Sequence, residues 1–549
     1  MRVARDGGEG GTGVSRAWFG PPADRRSVLD RAHRGDIVGA FGRVVSADTG
    51  PRRSWRQRVA ALLAVMGPGV FVLVADNDAG GITTYAQAGQ DDGLRLVWLV
   101  LALAGVLFVN QEMAGRLGAV TGAGHARLIS ERFGRRWGAF ALGDLLAVSF
   151  LLVVTEFTGV ALGLGYFGVS RYVSVPVAAA ALIVVPASGR FRRWELAAYV
   201  LVAVSLAAVP LAMLAGHAPA LQTAAPARDG SGGNGALLAV ALIGTTVAPW
   251  QLFFQQSSVV DKRITPRWLA YERADTAIGT VLFAVGAVAV LTACALALPG
   301  TPLHGGFADA GAVAAGLGRR AGPWAGALFA VILVNGSLLG TGAVTLSASY
   351  ALGDVRGTRH SLHRPWREAR SFHGSYAALI AAAATIVLIP GAPLGIVTTA
   401  VQALAGVLLP GALVFLLLLC NDAAVLGPWV NPRWLNVLAG LIVAVVLALS
   451  GLLLAGTLFP AVTIGWPAAV PLGGAAVAGA VAGWRLPGAG ARRGAARYGR
   501  PAWTMPPIES LPPPAASRAR LTGLVVLRGY LLLAAAAVII RAVQLVAAA

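Results

Sequence analysis

Residues 59–89 read VAALLAVMGPGVFVLVADNDAGGITTYAQAG. This apolar segment is interrupted near its middle by two carboxylates, Asp76 and Asp78, and then by a pair of glycines. A charge at membrane depth is costly and by default marks a functional site, and non-helical backbone there must be buried in protein or line a cavity. Because secondary transporters often bind ions at broken helices, the stretch predicts transport of a positively charged substrate.

The composition indicates an all-α polytopic membrane protein. Of 549 residues, 56% are hydrophobic and 12% are charged, whereas soluble domains carry about 25% charged residues. The net charge of +20 does not indicate nucleic-acid binding, because the arginines cluster at the N-terminus and in alternate loops, as cytoplasmic segments do. The sequence contains no Ser/His/Asp set, HExxH motif, P-loop or dense His/Cys cluster, so we do not expect an enzyme.

Apolar stretches of the length that a membrane helix needs, about 20 residues, recur along the chain. They lie at 60–88, 95–118, 137–165, 173–190, 195–216, 236–260, 274–298, 322–352, 374–391, 394–420, 434–458 and 466–484. A further segment at 520–546 either spans as a thirteenth helix or lies at the interface. The basic loops predict that both ends of the twelve-helix core are cytoplasmic, and we expect the protein in the plasma membrane.

The sixth predicted span is also interrupted, by Pro249. Proline removes a backbone hydrogen bond and clashes with the preceding turn. The two breaks are five spans apart, so the halves should form an inverted repeat with the site between them. The predicted organisation is a basic cytoplasmic tail (1–58), a first repeat of helices 1–5 (59–217), a second repeat of helices 6–10 (218–420), helices 11 and 12 (421–485), a Pro/Arg-rich linker (486–519) and a C-terminal hydrophobic helix (520–549).

Several motifs between residues 60 and 425 resemble the NRAMP family of divalent-metal transporters. They are GPG at 67–69 leading to DAGG at 78–81 and QAG at 87–89, RLGAVTG at 116–122, TVAPW at 246–250, and Gln402 eight residues before Pro410. The resemblance implies a LeuT-type (APC) fold with an inverted 5+5 helix repeat and discontinuous helices 1 and 6. It also implies that Gln402 belongs to the metal site.

The chain departs from the family pattern at several positions. Ala248 replaces the metal-binding methionine, Trp250 and Gln255 replace two histidines, Gly81 replaces an asparagine and Val153 replaces an aspartate. This set resembles the NRAMP-related magnesium transporters, which lack the thioether ligand and proton coupling. Carboxylate, carbonyl and water ligands suit magnesium, whereas thioethers favour softer metals.

The break and the resemblance together predict a cation site. Its expected members are Asp78, Asp76, the Ala75 carbonyl, Gly81, the Thr245 carbonyl, Ala248 and Gln402, with Glu156, Trp250 and Gln255 along the pathway. Three of these residues have an alternative, structural role. Asp78 could cap the second half-helix, Gln402 could form an interhelical hydrogen bond, and Trp250 could pack in the core. Asp76 either accepts hydrogen bonds from the waters of a hydrated metal or faces an aqueous vestibule. Gly81, which lacks a side chain, is expected to enlarge the cavity.

The expected function is import of Mg²⁺, and also of Mn²⁺, by alternating access without proton coupling. A proton-coupled transporter of Mn²⁺ or Fe²⁺, an APC-type amino-acid or cation symporter, and a metal sensor without flux remain as alternatives. No cofactor is expected, because the metal is the substrate. The expected partners are this cation and the lipid bilayer, and not nucleic acid. The sequence sets no oligomeric state, and a monomer fits it.

Overall fold

The structure is a computed structural model of the whole chain. It describes residues 29–48, 50–218, 234–299, 301, 303, 306–390, 401, 409–458, 469–485, 503–514 and 520–533. The fold is helical apart from one antiparallel hairpin of β1 (Ile37–Gly39) and β2 (Gly42–Val44), in which Val38 is opposite Arg43.

The helices are named here in chain order. They are α1 (Trp55–Val65), α2 (Pro68–Val74), α3 (Ala79–Asp92), α4 (Val97–Thr121), α5 (His125–Phe133), α6 (Arg135–Tyr166), α7 (Arg171–Ala187), α8 (Phe191–Ser205), α9 (Ala208–Gly216), α10 (Asn234–Thr246), α11 (Pro249–Asp261), α12 (Leu269–Ala297), α13 (Ala310–Ala321), α14 (Pro323–Arg356), α15 (Arg370–Leu388), α16 (Leu409–Cys420), α17 (Ala423–Leu426), α18 (Arg433–Leu458) and α19 (Ala469–Arg485). A further helical stretch covers residues 520–533.

Seven helices in the described part of the chain are long and apolar enough to cross a membrane, and nine are if each of two bent pairs forms one span. The bent pairs are α1 with α2, and α16 with α17 and the short turn after it. The other predicted spans correspond to shorter helices. The sixth consists of the 13-residue helices α10 and α11, and the fourth and twelfth correspond to the 17-residue helices α7 and α19.

The first predicted span is broken where the sequence predicts, and once more before that. α2 ends at Val74 and α3 begins at Ala79, so the two carboxylates lie in the break. The earlier break is not among the sequence predictions. The chain bends by 56° between α1 and α2, because Gly67 adopts φ +150° and Pro68 starts a new helix.

The predicted break in the sixth span is also present. α10 ends at Thr246, and α11 begins at Pro249 after an extended Ala248 with φ −119° and ψ 147°. Pro249 occupies the first helical position, where its missing N–H removes no helical hydrogen bond. α10 packs against α3, and α11 packs against α2, α4 and α14. The two breaks therefore lie between helices that contact each other.

Long helices enclose the broken ones. α14 packs along α6, and α12 packs against α2, α3 and α4. The central part of α14 is buried from Ser337 to Ala351, apart from Leu338. Small residues allow this close approach, since a side-chain carbon at Gly340 would lie 2.9 Å from the Asp78 Cβ.

Two predicted terminal segments are partly folded onto the membrane domain. The sequence predicts a basic cytoplasmic tail up to residue 58. Within it, residues 29–48 contain the β1–β2 hairpin and contact the helices, as in the hydrogen bond from the Ala40 N–H to Glu195 of α8. In the predicted linker, Met505 is fully buried and donates its N–H to the Val120 carbonyl at 3.1 Å. Short segments rich in Gly, Pro and Arg can thus be held by contacts that their composition does not reveal.

Candidate cation site

Asp78 is buried at the start of α3, where it caps the helix. Its Oδ1 accepts the Gly81 N–H at 2.7 Å. The neighbouring Ala79 N–H is bound by Glu156 of α6, whose Oε2 accepts it at 3.1 Å. The Glu156 carboxyl group also lies within hydrogen-bonding reach of the Asp78 carboxyl group. The capping role is therefore present, and it places two acidic side chains side by side.

Asp76 contacts different helices from Asp78. Its Oδ1 accepts a hydrogen bond from the Gln251 side chain of α11, which also donates to the Thr246 carbonyl at 3.0 Å. Gln111 of α4 donates to Gln251 at 3.4 Å. The two carboxylates of the first break thus have different neighbours. Asp76 lies near the second break, and Asp78 lies near α6.

Several oxygen atoms around the two breaks have no protein donor. The Ala75 carbonyl at the end of α2 accepts no backbone N–H among the described residues. In the same part of the chain, Oδ2 of Asp76 and Oγ1 of Thr245 are buried without a hydrogen-bond partner. Buried polar atoms are normally paired with protein, water or an ion. These oxygens are therefore suited to a cation or its water shell.

Ala248 and Gly81 contribute space in different ways. Ala248 is buried and extended at the start of α11 and brings no donor atom other than its backbone. The expectation that Gly81 enlarges the cavity is wrong for this conformation. A side-chain carbon at Gly81 would lie 2.6 Å from the Asp76 carbonyl oxygen, so glycine is needed here for close backbone approach.

The three expected pathway residues have distinct surroundings. Trp250 is buried and belongs to the hydrophobic core. It packs edge-on against Phe254, with ring centroids 6.3 Å apart. Gln255 donates to Glu272 of α12 at 2.8 Å. Glu156 binds the first break directly, through the Ala79 N–H. Gln402, the remaining expected ligand, lies outside the described residues.

Sequence reasoning missed the residues that position the first broken helix. Asn77 donates to the Phe283 carbonyl of α12 at 3.2 Å. Asp275, also on α12, accepts the N–H groups of Gly67 at 2.9 Å, Gly69 at 2.7 Å and Val70 at 3.3 Å. α12 therefore holds both ends of α2. A buried acid in an apolar span was the available signal at Asp275, but its partners are about 200 positions away.

A buried ion pair lies next to the start of α2. Lys262, just after α11, donates to Glu195 of α8 and to the Met66 carbonyl. Glu195 also accepts the Ala40 N–H of the hairpin. Both charged side chains are fully buried, and removing one partner of such a pair is strongly destabilising. The start of α2 is thus fixed by α8, α11 and α12 together.

The groups of this region that could coordinate a metal are oxygen atoms and side-chain amides. Within the described ranges, no group of three or more His, Cys, Asp or Glu side chains is arranged to hold a metal ion. Carboxylate and carbonyl oxygens are ligands that magnesium, calcium and manganese accept. The described oxygen atoms therefore suit a hard divalent cation.

A family model described as natural resistance-associated macrophage protein-like matches residues 69–456. The chain belongs to the Nramp family. It is a multi-pass membrane transporter by family, and not an enzyme. The match covers both helix breaks and the whole region between them.

Two relatives are similar over most of their length. The divalent metal cation transporter MntH of Burkholderia ambifaria is 28% identical over 440 residues, which cover 77% of this chain and 94% of the relative. The protein of the same name from Deinococcus radiodurans is 29% identical over 444 residues, 75% of this chain and 93% of that one.

Solved structures show the same fold. A mutant of the manganese transporter of Eremococcus coleocola aligns with a TM-score of 0.61 at 19% sequence identity, over 83% of this chain and 98% of that chain. The similarity confirms the predicted LeuT-type architecture with its broken first and sixth helices. At 19% identity, the structural similarity is evidence for the fold and not for the substrate.

Proposed function

We propose that this Nramp-family chain is a secondary transporter that imports divalent metal cations, Mg²⁺ and also Mn²⁺, by alternating access. The observation that carries the proposal is the pair of buried carboxylates, Asp76 and Asp78, in the break between α2 and α3. A buried charge in a membrane-spanning helix is expensive and marks an ion pathway. The names of the similar MntH proteins support a divalent metal as the substrate.

The proposed site consists of Asp78, Asp76, the carbonyls of Ala75 and Thr245, and Gln402, with Gly81 and Ala248 as the small residues beside it. Magnesium binds oxygen ligands and dehydrates reluctantly, so it usually keeps several waters. Ala248 supplies no sulfur where a thioether would favour a softer metal. This donor set favours magnesium and admits manganese, which also accepts carboxylate and carbonyl ligands.

Proton coupling is not part of the proposed mechanism. Intramembrane relays use chains of Asp, Glu and His. Trp250 has no titratable group, and the Gln255 side chain is engaged by Glu272. Val153, one turn before Glu156 on α6, cannot carry a proton either. We place the protein in the plasma membrane with its N-terminus in the cytoplasm, as its basic loops favour.

The test is uptake by the purified full-length chain in proteoliposomes. Mg²⁺, Mn²⁺ and Ca²⁺ are offered in turn, with a metal-sensitive dye and a pH dye inside the vesicles. We expect saturable uptake of Mg²⁺ and Mn²⁺ without acidification, and none in protein-free vesicles. Binding without uptake of any of the ions would contradict transport.

One observation favours a second candidate, a proton-coupled transporter of Mn²⁺ or Fe²⁺. The carboxyl groups of Asp78 and Glu156 are within hydrogen-bonding reach of each other, and two carboxyl groups can share a hydrogen bond only if one is protonated. A cation that replaces this proton at Asp78 would release it. Acidification that scales with metal uptake and disappears in Glu156→Gln would establish this candidate and overturn the uncoupled mechanism.

A further inference from the structure

A large apolar cavity, lined by none of the described residues of the proposed cation site, lies between α7, α8, α14 and α15. Its volume is about 430 Å³. Apolar side chains dominate its walls, among them Ala198 of α8 and Leu339 and Ala343 of α14. One wall contains Gly342, where an added side-chain carbon would meet no atom within 4 Å. The cavity is therefore open space inside the helical domain and not a packing gap.

The mouth of the cavity faces the lipid side of the protein. Val185 of α7 and Val200 of α8 line it and are 37% and 56% exposed. On the same two helices, Val177, Val184 and Leu196 are more than half exposed. Apolar side chains exposed on membrane-crossing helices contact acyl chains, since water does not reach the bilayer core. A ligand that enters here comes from the hydrocarbon phase.

The inner wall of the cavity reaches both broken helices. Phe71 of α2 and Phe254 of α11 line it. Phe71 also packs edge-on against Trp194 of α8, another lining residue, with ring centroids 5.5 Å apart. A ligand in the cavity therefore contacts one aromatic ring from each discontinuous span.

Exposed arginines lie near the end of the cavity where α7 meets α8. Pro186 and Trp194 line that end, and between them in the chain Arg190 lies in the connecting turn and Arg193 in the first turn of α8. The loop before α15 adjoins the same turn, because Trp366 donates its N–H to the Ala187 carbonyl at 3.2 Å. This loop adds exposed Arg367, while its acidic Glu368 is paired with Arg364 at 2.8 Å.

We propose that this cavity binds one acyl chain of an anionic phospholipid, whose phosphate lies against Arg190 and Arg193 where α7 meets α8. The apolar walls and the lipid-facing mouth select an acyl chain. The basic turn selects a negative headgroup, because juxtamembrane Lys and Arg attract anionic lipid. The bound chain packs against Phe71 and Phe254 and so contacts the helices that move in alternating access.

Lipid binding is tested by native mass spectrometry of the full-length protein with phosphatidylglycerol or phosphatidylcholine of the same chain length. Gly342→Leu places a side chain in the cavity, and its first carbon meets no atom within 4 Å. Gly105→Leu on α4 is the matched control, since an added carbon there also meets open space. We expect wild type and Gly105→Leu to retain one phosphatidylglycerol and Gly342→Leu to lose it. Equal retention by Gly342→Leu would overturn the site.

The headgroup assignment has its own variant. Arg190→Gln combined with Arg193→Gln should reduce retention of phosphatidylglycerol and leave that of phosphatidylcholine unchanged. Equal retention of the two lipids by wild type would contradict the role of the arginines. Both measurements are made without flux, so they stand apart from the proposed transport function.

An effect on transport, in contrast, rests on the proposed function. In vesicles with increasing phosphatidylglycerol content, the Mg²⁺ uptake rate of wild type and Gly105→Leu should change with the lipid, and that of Gly342→Leu should not. The same lipid dependence in all three proteins would show that the cavity does not act on the broken helices.

Discussion

At the scale of single residues, the Asp78 carboxylate combines two tasks that a substitution can separate. It caps α3 through the Gly81 N–H, and we propose that it binds the cation. Asparagine caps helices about as well as aspartate but carries no charge. An alanine at this position would remove both interactions and could not distinguish them.

We predict that Asp78→Asn folds like wild type and loses divalent-cation uptake. The cap is kept because the asparagine side-chain oxygen still accepts the Gly81 N–H, whereas the charge that attracts the cation is gone. Thermal stability in detergent and Mg²⁺ uptake in proteoliposomes measure the two properties on the same preparation. Uptake at the wild-type rate would leave Asp78 with the capping role alone.

Ala248 is the residue at which metal preference should change. We predict that Ala248→Met lowers Mg²⁺ uptake and raises Cd²⁺ binding, because a thioether displaces water that magnesium holds tightly and favours soft metals. Competition uptake with Mg²⁺, Mn²⁺ and Cd²⁺ checks this. The single variant is preferable to one that also changes Gly81, since any side chain there meets the Asp76 carbonyl. Unchanged selectivity would move the determinant elsewhere.

At the scale of elements, the seven-residue helix α2 depends on a carboxylate from another helix. Asp275 accepts three N–H groups at its start through both oxygens, Oδ1 and Oδ2. An asparagine would keep one side-chain oxygen as an acceptor. Its NH₂ group would face a backbone N–H, so two hydrogen-bond donors would meet. The first turn of α2 would then lose part of its cap.

We predict that Asp275→Asn weakens the docking of α2 by about 0.5–2 kcal/mol, the usual range for a lost helix cap. A cysteine introduced at Val72, which is buried, should react faster with a maleimide in this variant. Asp309→Asn is the matched control, because Asp309 caps α13 through a single N–H at 2.8 Å that asparagine can also bind. Equal labelling in the two variants would contradict the role of Asp275.

The elements also show how far the sequence was informative. Both helix breaks were predictable, because Asp76 and Asp78 or Pro249 interrupt apolar runs locally. The partners of the breaks were not, since Asp275 and Gln251 meet them only through the tertiary fold. The restriction at Gly81 was hidden for a different reason: it depends on the backbone path through the break, which brings the Asp76 carbonyl against Gly81. Gln402 remains a prediction.

At the scale of the whole molecule, residues 29–48 connect distant parts of the helical domain. Asp30 pairs with Arg364 at 2.8 Å, and His33 contacts Asp261 at 3.3 Å. His33 also packs edge-on against His360, with ring centroids 5.3 Å apart. The segment thus joins the end of α11 to the loop after α14.

This junction should weaken at alkaline pH. Burial lowers the pKa of His360, but its contact with Asp354 at 3.2 Å, its hydrogen bond with the Thr358 carbonyl and the charge of Asp261 together outweigh burial, so the pKa is raised overall. A raised pKa means that the stabilisation is fully present below the unfolded value, about 6.5, and is lost as pH rises through the folded value. We predict that wild type has a higher Tm than His360→Gln at pH 6, and that this difference in Tm becomes smaller as the pH rises to 9. A constant difference would contradict the prediction.

The driving force for uptake is also a property of the whole molecule. A divalent cation that crosses the membrane gains about 4.6 kcal/mol per 100 mV, twice the value for one charge. We predict that an inside-negative potassium diffusion potential accelerates Mg²⁺ uptake, and that a proton gradient of either direction at constant potential does not. Acceleration by the proton gradient alone would favour the coupled candidate.

The burial of α2 on all sides has a further consequence. Its seven residues are all buried, and five of them are Val70, Phe71, Val72, Leu73 and Val74. Transfer of such side chains to water costs about 1.5–3 kcal/mol each, whereas lipid tails are as apolar as the protein interior. A swing of α2 away from α12 is therefore far less costly into hydrocarbon than into water. The turnover rate should then vary with the stiffness of the surrounding bilayer.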